Sequence, residues 1–142
     1  MLIDTILKDK GNVVETISDS LTLLEAAKIL DQKRIGAIVA VDDTGELCGV
    51  LSERDIVRGM SQHGADLHDV LVSELMTADL IRCAPGDTVN EAMAMMTDRR
   101  IRHLPVFEAE ELVGFISIGD LVKCRMMEVQ SEAEALRQYI NS

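Results

Sequence analysis

Residues 49–57, Gly-Val-Leu-Ser-Glu-Arg-Asp-Ile-Val, return later in the chain as residues 114–122, Gly-Phe-Ile-Ser-Ile-Gly-Asp-Leu-Val. Each copy places a short apolar run before a serine, and an aspartate follows that serine after two intervening residues. Serine is a preferred residue for capping a helix start, and an acidic residue in the first turn favours the helix dipole. The repeated stretch therefore predicts the same strand-to-helix junction twice.

The similarity between the two copies extends upstream of these stretches. Residues 22–35 correspond in order to residues 88–101, and residues 3–7 correspond in type to residues 72–76, after which the first copy has three extra residues. Ordered matches over this length indicate an internal duplication. The chain is therefore expected to contain two copies of one structural unit.

Each copy has a clear helix signal near its beginning. Thr22 and Thr88 both stand three residues before a glutamate, which is the capping-box pattern. Behind each box, apolar residues recur at the i, i+3, i+4, i+7 spacing of a helix that buries one face. They are Leu23, Ala26, Ala27 and Leu30 in the first copy, and Val89, Ala92, Met93 and Met96 in the second.

The remaining apolar runs predict strands. Each copy opens with a strand, over residues 13–17 and 80–83, and two further strands follow the helix, over residues 35–41 and 47–51, then 103–107 and 112–116. The order is β-α-β-β-α twice, so we predict an α/β (α+β) fold. Because neither copy has enough core alone, the two are expected to pack as one pseudo-two-fold module with a long C-terminal helix.

The repeat boundaries predict the domain organisation. The first domain is expected over residues 8–65, a linker over 66–75 and the second domain over 76–132, with a helical tail over 126–142. Two interpretations of the tail stay open: self-association, and packing on its own domain. Its apolar residues have the spacing of a heptad seam: Val122, Met126, Val129, Ala133, Leu136 and Ile140.

Composition excludes several classes of function. The formal net charge of −11 argues against a nucleic-acid backbone or an anionic membrane surface as partner. Three cysteines without a CxxC pair favour reduced thiols in the cytoplasm. No apolar run approaches the roughly 20 residues of a membrane helix, and the N-terminus does not resemble a signal peptide. His63 and His68 lack the spacing of a helical metal pair, so we expect no metal site.

The repeated Ser-x-x-Asp pattern has two interpretations. It is a helix cap in one, and in the other the free N–H groups of the helix start bind phosphate while the aspartate accepts hydrogen bonds from ribose hydroxyls. The second is supported by cationic side chains near both junctions, because guanidinium groups suit phosphate. They are Arg54 and Arg58 in the first copy, and Arg100 and Arg102, beside His103, in the second.

Three segments together resemble the CBS domain, a module first named for cystathionine β-synthase. They are Met76-Thr77, residues 102–106 (Arg-His-Leu-Pro-Val) and residues 114–121. Two tandem copies are similar to a Bateman module, and the chain resembles the stand-alone CBS-pair proteins. The first copy departs from the pattern at residues 36–39, where Gly-Ala-Ile-Val replaces Arg-His-Leu-Pro.

The resemblance implies an adenosine ligand, such as AMP, ATP, NAD(H) or S-adenosylmethionine, in clefts between the repeats. It assigns the ribose to Asp55 and Asp120, phosphate or ribose oxygens to the serines, and the adenine to the opening strand. The expected ligand-binding residues are Ser52, Arg54, Asp55, Arg58, Thr77, Leu80, Arg100, Arg102, His103, Pro105, Ser117 and Asp120.

Three classes of function are compatible with these sequence features. The first is a regulator that binds an adenosine nucleotide, forms a homodimer and acts on a downstream protein that the sequence does not identify. The second is a ligand-free interaction scaffold with degenerate clefts. The third is an enzyme. We do not expect this class, because the sequence indicates no activated nucleophile, no group of metal ligands and no catalytic cofactor.

Overall fold

The computed structural model describes residues 1–11 and 13–142. In these ranges the chain forms a mixed α/β fold with two sheets, six α-helices and one short 3-10 helix, Gly64–Asp69. The helices are α1 (Ile3–Lys10), α2 (Leu23–Lys33), α3 (Glu53–His63), α4 (Val72–Leu75), α5 (Val89–Arg99) and α6 (Ile118–Asn141). The strands are β1 (Thr16–Ser18), β2 (Ala37–Val41), β3 (Leu47–Ser52), β4 (His103–Glu108) and β5 (Glu111–Ser117). The expected fold class is confirmed.

The chain divides into two compact units that do not coincide with the two sequence repeats. The first unit is Val14–Leu80, and the second joins Met1–Val13 to Ile81–Ser142. Helix α1 precedes the first repeat but belongs to the unit of the second, whereas α4 precedes the second repeat and belongs to the unit of the first. The two repeats therefore exchange their leading helices.

The first unit is built on a three-stranded sheet. Strand β1 pairs in parallel with β2, and β2 pairs antiparallel with β3. Thr22 caps the start of α2, and its side chain accepts a hydrogen bond from the Glu25 amide, as the capping box predicts. The fully buried side chains include Leu23 from α2, Ile38 and Leu51 from the sheet, and Val72 from α4. One apolar core thus joins both helices to the sheet.

The second unit has a two-stranded sheet, β4 antiparallel to β5. The strand predicted over residues 80–83 is reduced to a single parallel bridge between Cys83 and Val106. Cys83 uses both its amide and its carbonyl on β4, and the next residue whose amide would face β4 is Pro85, which has no N–H to donate. The sequence pattern identified the position of this segment but overestimated its length as a strand.

The glycine that opens each repeated stretch is explained by close packing. A Cβ on Gly49 would lie 2.6 Å from the sulfur of Met76, and a Cβ on Gly114 would clash with Leu7. Leu7 and Met76 occupy corresponding positions in the two copies, so each leading helix packs on the sheet of its own unit in the same way. The extra residues of the first copy lengthen α1, which runs from Ile3 to Lys10, whereas α4 has only four residues.

Helix α6 is the longest element, with 24 residues. Its first turns pack on the second unit through the buried residues Leu121 and Cys124. Beyond them it exposes several large apolar side chains: Met126, Met127, Val129, Leu136, Tyr139 and Ile140. Across the described parts of the chain, no helix combines the length and apolar character required to span a membrane.

Candidate functional site

Both repeated serines begin a helix and form a reciprocal cap. The Ser52 amide donates to Asp55 Oδ2 at 2.8 Å, and the Asp55 amide donates to Ser52 Oγ at 3.3 Å. The second copy has the same geometry. The Ser117 amide donates to Asp120 Oδ2 at 2.8 Å, and the Asp120 amide donates to Ser117 Oγ at 3.2 Å. The capping interpretation is therefore realised at both junctions, and the two aspartates differ in their other contacts and in their exposure.

Asp55 is engaged by its own unit. The Ser52 hydroxyl lies 3.1 Å from Asp55 Oδ2, and the Arg58 guanidinium lies 3.1 Å from Asp55 Oδ1. Arg58 also donates to the Leu75 carbonyl at 2.9 Å, which joins α3 to α4. Only 7 % of the Asp55 side chain is exposed. Asp55 and Arg58 are thus brought together, but mainly as a structural ion pair that links two helices.

Asp120 is more accessible and has a different partner. Its Oδ2 also accepts a hydrogen bond from the Lys10 ammonium at 2.8 Å, and Lys10 donates to the Phe115 carbonyl at 2.8 Å. The Asp120 side chain is 27 % exposed. Burial raises the pKa of Asp120, but the hydrogen bonds from Lys10 and Ser117 outweigh it, so the pKa lies below its usual value. Asp120 is therefore an anionic and partly exposed hydrogen-bond acceptor.

The β4–β5 pairing brings His103 to the same site. His103 lies opposite Ser117 in the antiparallel register, and its ring stacks on Phe115 with centroids 5.5 Å apart. Burial lowers the pKa of His103, and the positive charges of Lys10 and Arg102 lower it further. The negative charge of Asp120 raises it, but by less. The imidazole is therefore mainly neutral at pH 7, so it offers a ligand a ring face and a hydrogen bond but little positive charge.

The other predicted residues of the second unit lie on β4 or shortly before it. Arg102 precedes His103, and its carbonyl accepts a hydrogen bond from Ile118 at the start of α6. Pro105 is buried on β4 opposite Phe115. Arg100 ends α5 with a left-handed backbone, at φ 55°. The structure thus places Ser117, Asp120, His103 and Arg102 at one strand-helix junction.

The first unit lacks an equivalent of this cluster. The residue opposite Ser52 is Ala37, which is buried and offers no polar group where the second unit has His103. Arg54 is exposed on α3. Thr77 is engaged through its backbone, which exchanges hydrogen bonds of 2.9 and 3.0 Å with Val50, and Leu80 is half-buried. The two junctions share a backbone design but differ in chemistry.

Sequence reasoning missed Lys10 and Phe115. The only signal was the three extra residues that follow residues 3–7 in the first copy, because they add the part of α1 that carries Lys10. Assigning α1 to the first repeat hid the contact, since the hydrogen bond from Lys10 to Asp120 joins residues 110 positions apart.

Comparison with known proteins agrees with this architecture. The CBS domain profile matches residues 11–62 and 72–126. A mitochondrial CBS domain-containing protein of Arabidopsis thaliana, CBSX3, is 34% identical over 148 aligned residues, which cover 97% of this chain and 71% of that protein. The crystal structure of a CBS-domain protein from Agrobacterium tumefaciens is similar with a TM-score of 0.85 and 39% identity, covering 87% of this chain and 92% of the other.

The fold and the two junctions define a tandem CBS protein, and proteins of this kind are regulatory modules. The chain belongs to the CBS-domain family and carries two CBS domains. A related structure is the CBS pair of the protein MJ0100 in complex with 5′-methylthioadenosine and S-adenosyl-L-methionine. It has a TM-score of 0.75 and 25% identity, and the match covers 87% of this chain and 98% of that one.

Proposed function

We propose that this protein is a regulatory sensor that binds an adenosine nucleotide, of the AMP, ATP or NAD(H) type, at Asp120. The observation that carries the proposal is the accessible, ionised Asp120 at the start of a long helix, beside a stacked His103–Phe115 pair. A carboxylate accepts hydrogen bonds from adjacent ribose hydroxyls, and the helix start favours an anion. The complexes of MJ0100 with two adenosine compounds support the ligand class.

The two junctions are proposed to bind unequally. Asp55 is buried and paired with Arg58, so a ligand there would have to compete with an internal ion pair. The second unit offers Asp120 and His103 in accessible positions, with Arg102 next to them. The nucleotide is therefore expected at Ser117 and Asp120 first, and the residues Ser52, Arg54, Asp55, Arg58, Thr77 and Leu80 form the weaker candidate.

A regulatory role is proposed rather than catalysis. The thiol that lies beside β4 is that of Cys83, and burial raises its pKa to about 12, so it remains protonated at neutral pH. Signalling would then come from a change in conformation or assembly on binding. We propose a homodimer as the acting form and a further protein as the receiver of the signal. The three free thiols of this chain suit a reducing compartment such as the cytoplasm.

The test is calorimetry with AMP, ATP and NAD on the wild-type protein and on Asp120→Ala. Loss of hydrogen bonds to a charged acceptor should weaken binding by about 1.5–3 kcal/mol, or roughly 10- to 150-fold. The matched control is Glu91→Ala, which removes the same kind of cap from α5, where Glu91 faces Thr88. It should cost similar stability but leave affinity unchanged.

The scaffold alternative makes the opposite prediction. If neither AMP, ATP, NAD nor S-adenosylmethionine raises the melting temperature, the protein is a ligand-free interaction module. A ligand at 100 times its dissociation constant should add about 2.7 kcal/mol, which a thermal scan resolves. Equal loss of affinity in Asp120→Ala and Glu91→Ala would leave Asp120 as a helix cap only.

A further inference from the structure

Lys10 makes two polar contacts within the second unit, at the junction between β5 and α6. Its ammonium lies 2.8 Å from Asp120 Oδ2 and 2.8 Å from the Phe115 carbonyl oxygen. The side chain remains 43 % exposed, so it is held at the site without being enclosed. An ammonium group has three donors, and these two contacts use only two of them.

The position of Lys10 depends on the extra length of α1. The helix is anchored by Ile3, Ile6 and Leu7, which are buried in the second unit. It continues past Leu7 to Lys10, and this last part brings the lysine to Asp120. The corresponding helix of the first unit, α4, ends at Leu75, and its unit pairs the equivalent aspartate with Arg58 from within α3. The lysine is a feature of one junction only.

The chemistry of this pair bears on which ligands are accepted. Lysine is a compact, strongly hydrated point charge on a flexible stem, and such a group binds phosphate well. When ribose hydroxyls take Asp120, the ammonium stays within a few ångströms of the same sugar, from which a 5′-phosphate extends. A neutral 5′ substituent gives Lys10 no new partner, and a cationic one is repelled by it.

We propose that Lys10 is the specificity-determining residue of the Asp120 site and selects adenosine ligands with an anionic 5′ substituent. AMP is then preferred over adenosine and 5′-methylthioadenosine, and these over S-adenosylmethionine. The inference rests on the proposed function and specifies in addition which charge the ligand carries. His103 contributes little charge to this selection because its ring is mainly neutral, and Arg102 adds to the positive potential beside it.

The experiment compares AMP with adenosine by calorimetry on the wild-type protein, Lys10→Met and Lys10→Arg. The AMP-to-adenosine affinity ratio should fall about tenfold in Lys10→Met, as expected for loss of a charge-assisted hydrogen bond. Lys10→Arg should keep most of the preference, because the charge remains. The matched control is Lys8→Met on the same helix, where Lys8 pairs with Asp4 at 3.2 Å away from Asp120. It should leave the ratio unchanged.

Two results would overturn the inference, and they are distinguishable. If AMP and adenosine bind the wild-type protein but Lys10→Met weakens both by the same factor, Lys10 only positions Asp120 and the proposed function stands. If the wild-type protein binds neither compound, the proposed function and the role of Lys10 fail together. Should Lys10→Met fold poorly, Lys10→Gln removes the charge but keeps a polar side chain, and its AMP-to-adenosine ratio should fall in the same way.

Discussion

At the scale of single residues, the Lys10–Asp120 pair couples the proposed ligand site to the stability of the fold. The pKa of Asp120 is lowered in the folded protein. A carboxylate with a depressed folded-state pKa contributes stability above its unfolded pKa, near 3.9, and that contribution is lost as the pH falls through the folded pKa. Removing Lys10 leaves burial to raise the pKa of Asp120 with less opposition.

We therefore predict that Lys10→Met destabilises the protein at pH 7 by about 0.5–1 kcal/mol, the value expected for a partly exposed ion pair. The deficit should vanish once the pH lies below the folded-state pKa of Asp120. Urea denaturation at several pH values measures the deficit, and NMR titration of the carboxyl carbon measures the pKa. Lys8→Met, which breaks an exposed pair with Asp4, is the control. An unchanged Asp120 titration in Lys10→Met would contradict the prediction.

Single residues also mark the limit of sequence reasoning. Ser117 and Asp120 could be found because their interaction spans one helical turn and recurs in both copies. Lys10 could not, because its contact with Asp120 depends on the exchange of α1 between the repeats. The packing of α4 beside Asp55 was equally hidden, since the hydrogen bond from Arg58 to the Leu75 carbonyl joins residues 17 positions apart.

At the scale of elements, the two hairpins solve the same connection differently. In the first unit the turn uses Gly45 at φ 84°, and the Asp42 carboxylate accepts hydrogen bonds from the amides of Thr44 and Glu46. In the second, Glu108 pairs with Glu111, so Ala109 and Glu110 form a two-residue turn with φ of 49° and 65°. Non-glycine residues in this left-handed region carry strain.

Replacing this pair by Ala109→Asn/Glu110→Gly should stabilise the protein by about 1–2 kcal/mol, because Asn-Gly suits a turn with two positive φ angles. The lost contact between Glu110 and Arg82, at 3.5 Å with Glu110 93 % exposed, offsets little of this gain. The measurement is the urea midpoint at constant m-value. Asp43→Gly in the other hairpin is the control and should not stabilise, since the φ of Asp43 is not positive. Equal midpoints in the double variant and the wild type would rule out strain in this turn.

At the scale of the whole molecule, the duplication was predictable and the division into compact units was not. The repeated motifs predicted the α-β-β-α order that both copies show, the caps and two of the three strands in the second copy, but not the leading helices α1 and α4. They gave no indication that each repeat would pack with the leading helix of the other, because Leu7 and Met76 are equivalent in type. Packing partners among equivalent helices are decided by connection and contact, which a pattern does not contain.

The exposed apolar face of α6 bears on how the protein assembles. Helices in proteins gain most of their stability by packing an apolar face, and the part of α6 after Cys124 leaves its apolar side chains exposed, so pairing would stabilise it. A two-fold pair of identical chains closes such a strip without leaving a free end. We predict a homodimer in which the helices beginning at Ser52 and Ser117 meet their mates and the tail over residues 126–140 adds to the contact.

Light scattering at micromolar concentration tests this on the full chain and on a version ending at Cys124. The full chain should be dimeric, and the truncated chain should dissociate at least tenfold more readily. The double variant Val129→Glu/Leu136→Glu should act like the truncation, because it places charges in the apolar seam. Ser131→Glu/Gln138→Glu adds the same charge outside the seam and should remain dimeric. A monomeric full chain contradicts the prediction outright, whereas a dimer insensitive to truncation and to both double variants removes only the tail from the interface.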